Sequence, residues 1–151
     1  MFRSKLVAGI IAGIICLAQE VAEPWSPEEV VGPQAFAAEL QQSKKPARII
    51  AVAFPGLFRQ RHIAGAVFAG PANKPEGIEA LKKEVAGLNK DAEIVVYCGC
   101  CPMVKCPNIR PAYKVLKELG FTKIRVLNIP NNMGDDWYMK KYPSEPPVAV
   151  E

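Results

Sequence analysis

The apolar and polar positions along the chain divide it into short apolar runs separated by amphipathic segments. Ser26-Pro27-Glu28-Glu29 has the pattern of a helix start: a hydroxyl cap, proline at the first helical position, and a carboxylate three residues after the cap. Gly32-Pro33 interrupts that segment, and a second helix is predicted from there to about Ser43, with Phe36, Ala37 and Leu40 on its apolar face. Lys44-Lys45-Pro46 makes a turn. Arg48 to Ala53 is a short, nearly continuous apolar run, as expected of a strand buried on both faces. A loop carrying Phe54, Phe58, Arg59, Arg61 and His62 follows, and Ala66 to Phe68 is another short strand. Glu76 to Leu88 places Ile78, Leu81, Val85 and Leu88 at helical spacing. Glu93 to Cys98 is the strongest strand pattern in the chain. A loop then leads to a helix from Asn108 to Leu119, closed by Gly120. Lys123 to Ile129 is a fourth strand, Asp135 to Tyr142 a last short helix, and Pro143 to Glu151 a proline-rich tail.

Strands alternating with helices imply right-handed crossovers and a mainly parallel sheet covered on both faces, an α/β fold. In such sheets ligands bind beyond the carboxyl ends of the strands. Cys98 stands at one of those ends, so the architecture directs attention to the segment that follows it.

Composition adds two constraints. The 151 residues carry a formal charge of +4 with no block of like charge, an ordinary globular balance with no footprint of nucleic-acid binding. The N-terminus is different in kind. Arg3 and Lys5 precede an apolar run of 13 residues from Leu6 to Ala18. A membrane span needs roughly 20 apolar residues, whereas this length suits the core of a signal peptide. Residues 1–18 are therefore expected to be a signal peptide cleaved after Ala18, with Cys16 at the −3 position, and an uncleaved anchor is the alternative. Cleavage removes Arg3 and Lys5 but no acidic residue, which lowers the charge from +4 to +2. Residues 19–151 then form one exported domain, periplasmic or extracellular, with no stable membrane insertion.

Four cysteines remain after cleavage, Cys98, Cys100, Cys101 and Cys106, all within nine residues. Disulfides that staple a small secreted fold join distant segments, so this clustering reads as a site. Between a buried strand and a helix, successive backbone N–H groups can form an anion-binding nest, and the helix N-terminus adds positive potential. Gly99, Cys100, Cys101, Pro102, Met103, Val104, Lys105 and Cys106 would make that nest. Lys105 and Arg110 would add charge if their side chains turned inward. A Cys98 thiolate would be the nucleophile. The alternative for Cys98 is a buried structural cysteine. The other three are resolving thiols or soft ligands. Their spacing lacks the separated C-x2-C pairs of common structural zinc sites, so no metal and no cofactor is assigned. Adjacent Cys100 and Cys101 are poor disulfide partners for each other.

Several segments together resemble the rhodanese family. Arg61-His-Ile-Ala-Gly-Ala66 is similar to its G-H-I-x-G-A motif. Val96-Tyr97-Cys98 matches the strand that ends at its nucleophile, and Leu119-Gly-Phe121 the end of the following helix. Gly134, Trp137, Tyr142, Pro143 and Glu145 match its C-terminal pattern. The resemblance spans Trp25 to Glu145. It implies a rhodanese fold, a central parallel sheet flanked by helices in three layers. It also implies that Cys98 accepts a sulfane sulfur as a persulfide and passes it to a thiophilic acceptor, so that the partners are a small sulfur-containing anion and a thiol. Two departures stand out. Ala51-Val52-Ala53 occupies the place where the family often carries Asp-x-Arg, leaving Arg59 or Arg61 to supply charge, and the loop is longer and richer in cysteine than the common one. Related phosphatases place Arg six residues after the nucleophile; Val104 there argues against phosphatase activity. His62 fits a structural role better than that of a general base. Metal binding, sulfur relay and thiol–disulfide exchange remain the alternatives to sulfur transfer.

Overall fold

The computed structural model describes residues 22–42 and 47–145. The expected signal segment, the Lys44–Pro46 turn and the tail beyond Glu145 lie outside the described residues. The elements are β1 (Val30–Val31), α1 (Pro33–Gln42), β2 (Arg48–Ala51), α2 (Pro55–Gln60), β3 (His62–Ile63), β4 (Val67–Phe68), α3 (Pro75–Val85), β5 (Glu93–Tyr97), α4 (Ile109–Glu118), β6 (Lys123–Leu127) and β7 (Ser144–Glu145). Five strands form a parallel sheet in the order β1-β6-β5-β2-β4, and β3 pairs antiparallel with β7 in a separate ribbon.

The apolar runs of β2 and β5 follow from burial on both faces. Side chains alternate across a strand, so Ile50, Val52, Ile94 and Val96 face one layer, built on Leu81 and Val85 of α3 and Ile109, Ala112, Tyr113 and Leu116 of α4. Ile49, Ala51, Val95 and Tyr97 face the other, with Phe36 and Ala37 of α1, Ile63 and Trp137. Each large apolar side chain buried this way contributes about 1.5–3 kcal/mol. Register is fixed in the same step, since a slip of one residue would exchange the two faces. The result is the expected three-layer α/β arrangement, with Trp25 and Trp137 as packing residues.

Helix ends follow local rules. At the end of α4, Gly120 takes a φ of +87°, the Phe121 N–H reaches the Leu116 carbonyl and the Gly120 N–H that of Lys117. Glycine adopts this left-handed turn without steric cost. The Ser26 pattern forms as predicted, its N–H donating to the Glu29 carboxylate at 2.9 Å, but only a single tight turn results, followed directly by β1. The loop expected around Phe58 is instead the helix α2, opened by Pro55 at its first position. Gly134–Tyr138 is one wide helical turn rather than a helix to Tyr142, with the Met139 N–H bonded to the Gly134 carbonyl five residues back.

The tail segment Ser144–Glu145 is ordered by β3. His62, 3% exposed, places Nδ1 at 2.9 Å from the Phe58 carbonyl and Nε2 at 3.0 Å from the Glu145 carboxylate. The second carboxylate oxygen accepts the Gly65 N–H at 2.8 Å. Both ring nitrogens are thus committed to holding α2, β3 and β7 together, which is the structural role expected of His62.

Candidate active site

β5 lies at the centre of the sheet, between β6 and β2, and ends at Tyr97. The chain leaves it through Cys98 and turns at Gly99, whose φ is +77°. The Met133 side chain packs against that glycine so closely that a Cβ there would lie 2.2 Å from Met133 Cγ. The Met133 N–H bonds the Gly99 carbonyl at 3.2 Å. Glycine is required at this position twice over, by conformation and by space. Cys98 is 3% exposed, with its sulfur fixed at the carboxyl edge of the sheet.

An open cleft of about 290 Å³, counted to its mouth, abuts Cys98 and Gly99. Ala51 and Ala53, small residues, line it together with Tyr97. Leu57 and Phe58 of α2 make one wall, Met133 and Tyr138 another, and Arg61 brings in positive charge. The Arg61 guanidinium stands 5.0 Å over the Tyr138 ring, and the Tyr138 hydroxyl donates to the Arg61 carbonyl at 2.5 Å. Burial pushes the Tyr138 phenol up to about 12, against the pull of Arg61, so it stays a neutral donor at physiological pH. Of the two arginines proposed to supply charge, Arg61 borders the cleft; Arg59 does not.

The thiols form a chain. Cys98 Sγ lies 3.2 Å from Cys100 Sγ, and Cys100 Sγ lies 3.3 Å from Cys101 Sγ. The sulfurs of Cys98, Cys100 and Cys106 all lie within 4.8 Å of one another. Three soft donors so placed suit a three-coordinate thiophilic ion such as copper(I). Burial raises the Cys100 thiol to about 12, with its hydrogen bond to Cys98 opposing and its neighbours Cys101 and Cys106 adding to the rise. Cys106 is pushed up by its hydrogen bond to Cys98 and by burial, while the backbone N–H groups of Asn108 and Ile109 oppose the rise. Cys100 and Cys106 therefore keep their protons at neutral pH.

The structure redistributes the roles expected of the loop. Its N–H groups at Met103, Lys105 and Cys106 bond the carbonyls of Ile129, Pro102 and Met103, and Pro102 has no N–H to offer. Those three donors hold the loop's own shape, which leaves the N–H groups of Gly99, Cys100 and Cys101 as the part of the loop that could face an anion. The Val104 and Lys105 side chains are exposed. Arg110 does not supply a free inward charge. Its guanidinium pairs with Glu23 at 2.9 and 2.5 Å and donates to the carbonyls of Cys106 at 3.3 Å and Val104 at 3.1 Å, strapping the loop from outside.

Asn108 takes a role that the sequence reading did not assign. It is fully buried, its amide donating to Cys98 Sγ at 3.3 Å while its oxygen accepts the Asn73 N–H at 3.0 Å. As the residue before α4 it has the pattern of a helix cap, yet its side chain makes no cap bond. Only the fold brings Asn73 and Cys98 to it. Leu57, Met133 and Tyr138 are also cleft residues without a signal in the sequence, since they arrive from separate elements.

The profile of the rhodanese-like domain matches residues 33–129. The chain belongs to the rhodanese-like domain family. Solved structures agree with this at the level of the fold. A rhodanese-like domain from Anabaena sp, determined by solution NMR, is similar with a TM-score of 0.57 and 18% identity, over 82% of this chain and 87% of that one. A crystal structure of the same Anabaena protein gives a TM-score of 0.60 and 17% identity, over 79% and 94%. A protein from Bacillus halodurans gives 0.59 and 18%, over 77% and 75%. No match is found among curated proteins. The rhodanese-like family includes sulfurtransferases, and this member's cysteine cluster is consistent with that chemistry. Among the described residues of this rhodanese-like domain, no helix is long and apolar enough to cross a membrane.

Proposed function

We propose that this rhodanese-like domain is an exported sulfurtransferase that carries sulfane sulfur as a persulfide on Cys98. The observation that supports it most is the placement of the Cys98 sulfur. It is held at the end of the central strand by the Asn108 amide, in a residue that borders an open cleft. With thiosulfate as donor, the Cys98 thiolate attacks the outer sulfur, the S–S bond of the donor breaks, and its electron pair leaves with sulfite. The persulfide then yields its outer sulfur to a thiophilic acceptor and the thiolate is restored. The apolar walls and the Arg61 charge suit a small anion with an apolar body, such as an organic thiosulfonate, and a thiol as acceptor.

Cyanolysis tests this. The reduced, metal-free protein should produce thiocyanate from thiosulfate or benzenethiosulfonate, and Cys98→Ser should produce none. Full activity in Cys98→Ser refutes the assignment. Export is tested on the full chain in a bacterial host, where the mature protein should be recovered outside the cytoplasm with Gln19 at its N-terminus.

One observation favours a second reading. The three sulfurs within 4.8 Å would suit a soft cation. Stoichiometric metal in protein purified without added metal, lost in Cys106→Ser, would move the assignment from catalysis to metal binding.

A further inference from the structure

The cluster contains a thiol that simple sulfur transfer does not use. Cys98 and Gly99 border the cleft, but Cys100, Cys101 and Cys106 are not among its lining residues. Much of that cleft, including Ala51, Tyr97 and Met133, belongs to the α1 side of the sheet. Cys106 is 1% exposed and packs with Cys98 into the core on the α3–α4 side. Cys98 thus borders the cleft while Cys106 is buried away from it, with the two sulfurs within 4.8 Å.

From this arrangement we infer that Cys106 is a resolving thiol, which attacks the Cys98 persulfide and releases the sulfane sulfur as hydrosulfide. The inference rests on the persulfide proposed above. A persulfide on Cys98 would place its outer sulfur about 2 Å, one S–S bond, beyond Sγ, at the residue that borders the cleft. Displacement at a sulfur proceeds with attacker and leaving group on opposite sides, through the exchange chemistry common to thiols and disulfides. Cys106, buried beside Cys98 and outside the cleft, meets the inner sulfur, whereas an acceptor in the cleft meets the outer one.

In the step itself, the Cys106 thiolate forms a bond to Cys98 Sγ. The bond from Sγ to the outer sulfur breaks, and its electron pair leaves with that sulfur as HS⁻. The outer sulfur is reduced and the two cysteines are oxidised to a disulfide. A dithiol reductant restores both thiols and is itself oxidised to a disulfide. The overall reaction is dithiol-driven reduction of a thiosulfonate-type sulfane to hydrosulfide.

The test uses the reduced protein in an anaerobic mixture with benzenethiosulfonate and no other thiol. Hydrosulfide is followed by electrode, and the protein by intact mass and peptide mapping. The expected result is one equivalent of hydrosulfide per protein, a mass lower by two hydrogens, and a Cys98–Cys106 linked peptide. Cys106→Ala should lose the hydrosulfide and accumulate protein heavier by one sulfur. The linked peptide is read on the native sequence, so the result does not depend on the folding of a variant. A stable sulfur adduct in the native protein, or a link to Cys100 instead, overturns the resolving role and leaves the persulfide reading standing. Absence of both adduct and hydrosulfide overturns the two together.

Discussion

Replacing Asn108 by alanine separates two functions of one buried side chain. The amide N–H to Cys98 Sγ becomes charge-assisted once that sulfur ionises. A hydrogen bond to a charged group is worth about 1.5–3 kcal/mol. At about 1.36 kcal/mol per tenfold change, its loss should slow reaction of the Cys98 thiolate roughly 10- to 150-fold. The other end of the side chain clasps the Asn73 N–H. Leaving that group without a partner costs about 1–2 kcal/mol, and the small cavity adds about 1 kcal/mol. A fall in Tm on the order of 10 °C should accompany the slower chemistry. The assay is peptide-resolved alkylation by iodoacetamide at neutral pH, well below the transition. Cys101, half-buried in the same loop with its sulfur beside Cys100 and not Asn108, serves as an internal reference. Loosening of the loop would speed labelling of both cysteines, whereas loss of the amide donor slows Cys98 alone. Unchanged or faster labelling of Cys98, together with the lower Tm, would refute the argument and leave Asn108 as a clasp only.

Other outcomes follow from the same geometry. Gly99→Ala forces a left-handed residue and a contact with Met133, and should cost about 2–4 kcal/mol in denaturant unfolding, with activity lost in proportion. The Glu145 carboxyl is held below its usual range by the Gly65 N–H and by His62. A lowered folded-state value means that its stabilisation is present above the unfolded value of about 4.3 and is lost as pH falls through the folded one. Glu145→Gln should therefore be less stable than the native protein at pH 6, by no more than about 1 kcal/mol because the carboxylate is half-exposed, and the gap should close on acidification. Arg110→Gln should leave the sheet intact and raise amide exchange and proteolytic nicking near Val104, read by mass spectrometry.

Periodicity was sufficient for the sheet. The runs at Arg48–Ala53, Glu93–Cys98 and Lys123–Ile129 became β2, β5 and β6 because double-sided burial leaves so few polar positions that the pattern is unmistakable. Three of the two-residue strands left no such trace, since β1, β3 and β7 are defined by partners far away in sequence: Val30 by Val126, His62 by Glu145. Pro55-Gly56 disguised α2 as loop, although the same proline opens the helix. At the site, the clustering of cysteines pointed to Cys98 at once. What the loop does with its own hydrogen bonds was not legible, because one stretch of N–H groups can surround an anion or close on nearby carbonyls, and tertiary partners such as Ile129 decide between them. Arg110 misled for a related reason: a cation near a thiol invites an electrostatic role until Glu23 is seen beside it.

That pairing gives the N-terminal segment a mechanical connection to the reaction loop. Glu23 grips Arg110, and Arg110 grips the carbonyls of Val104 and Cys106, so tension applied upstream of residue 23 is carried through three short links to the segment that holds the Cys106 thiol.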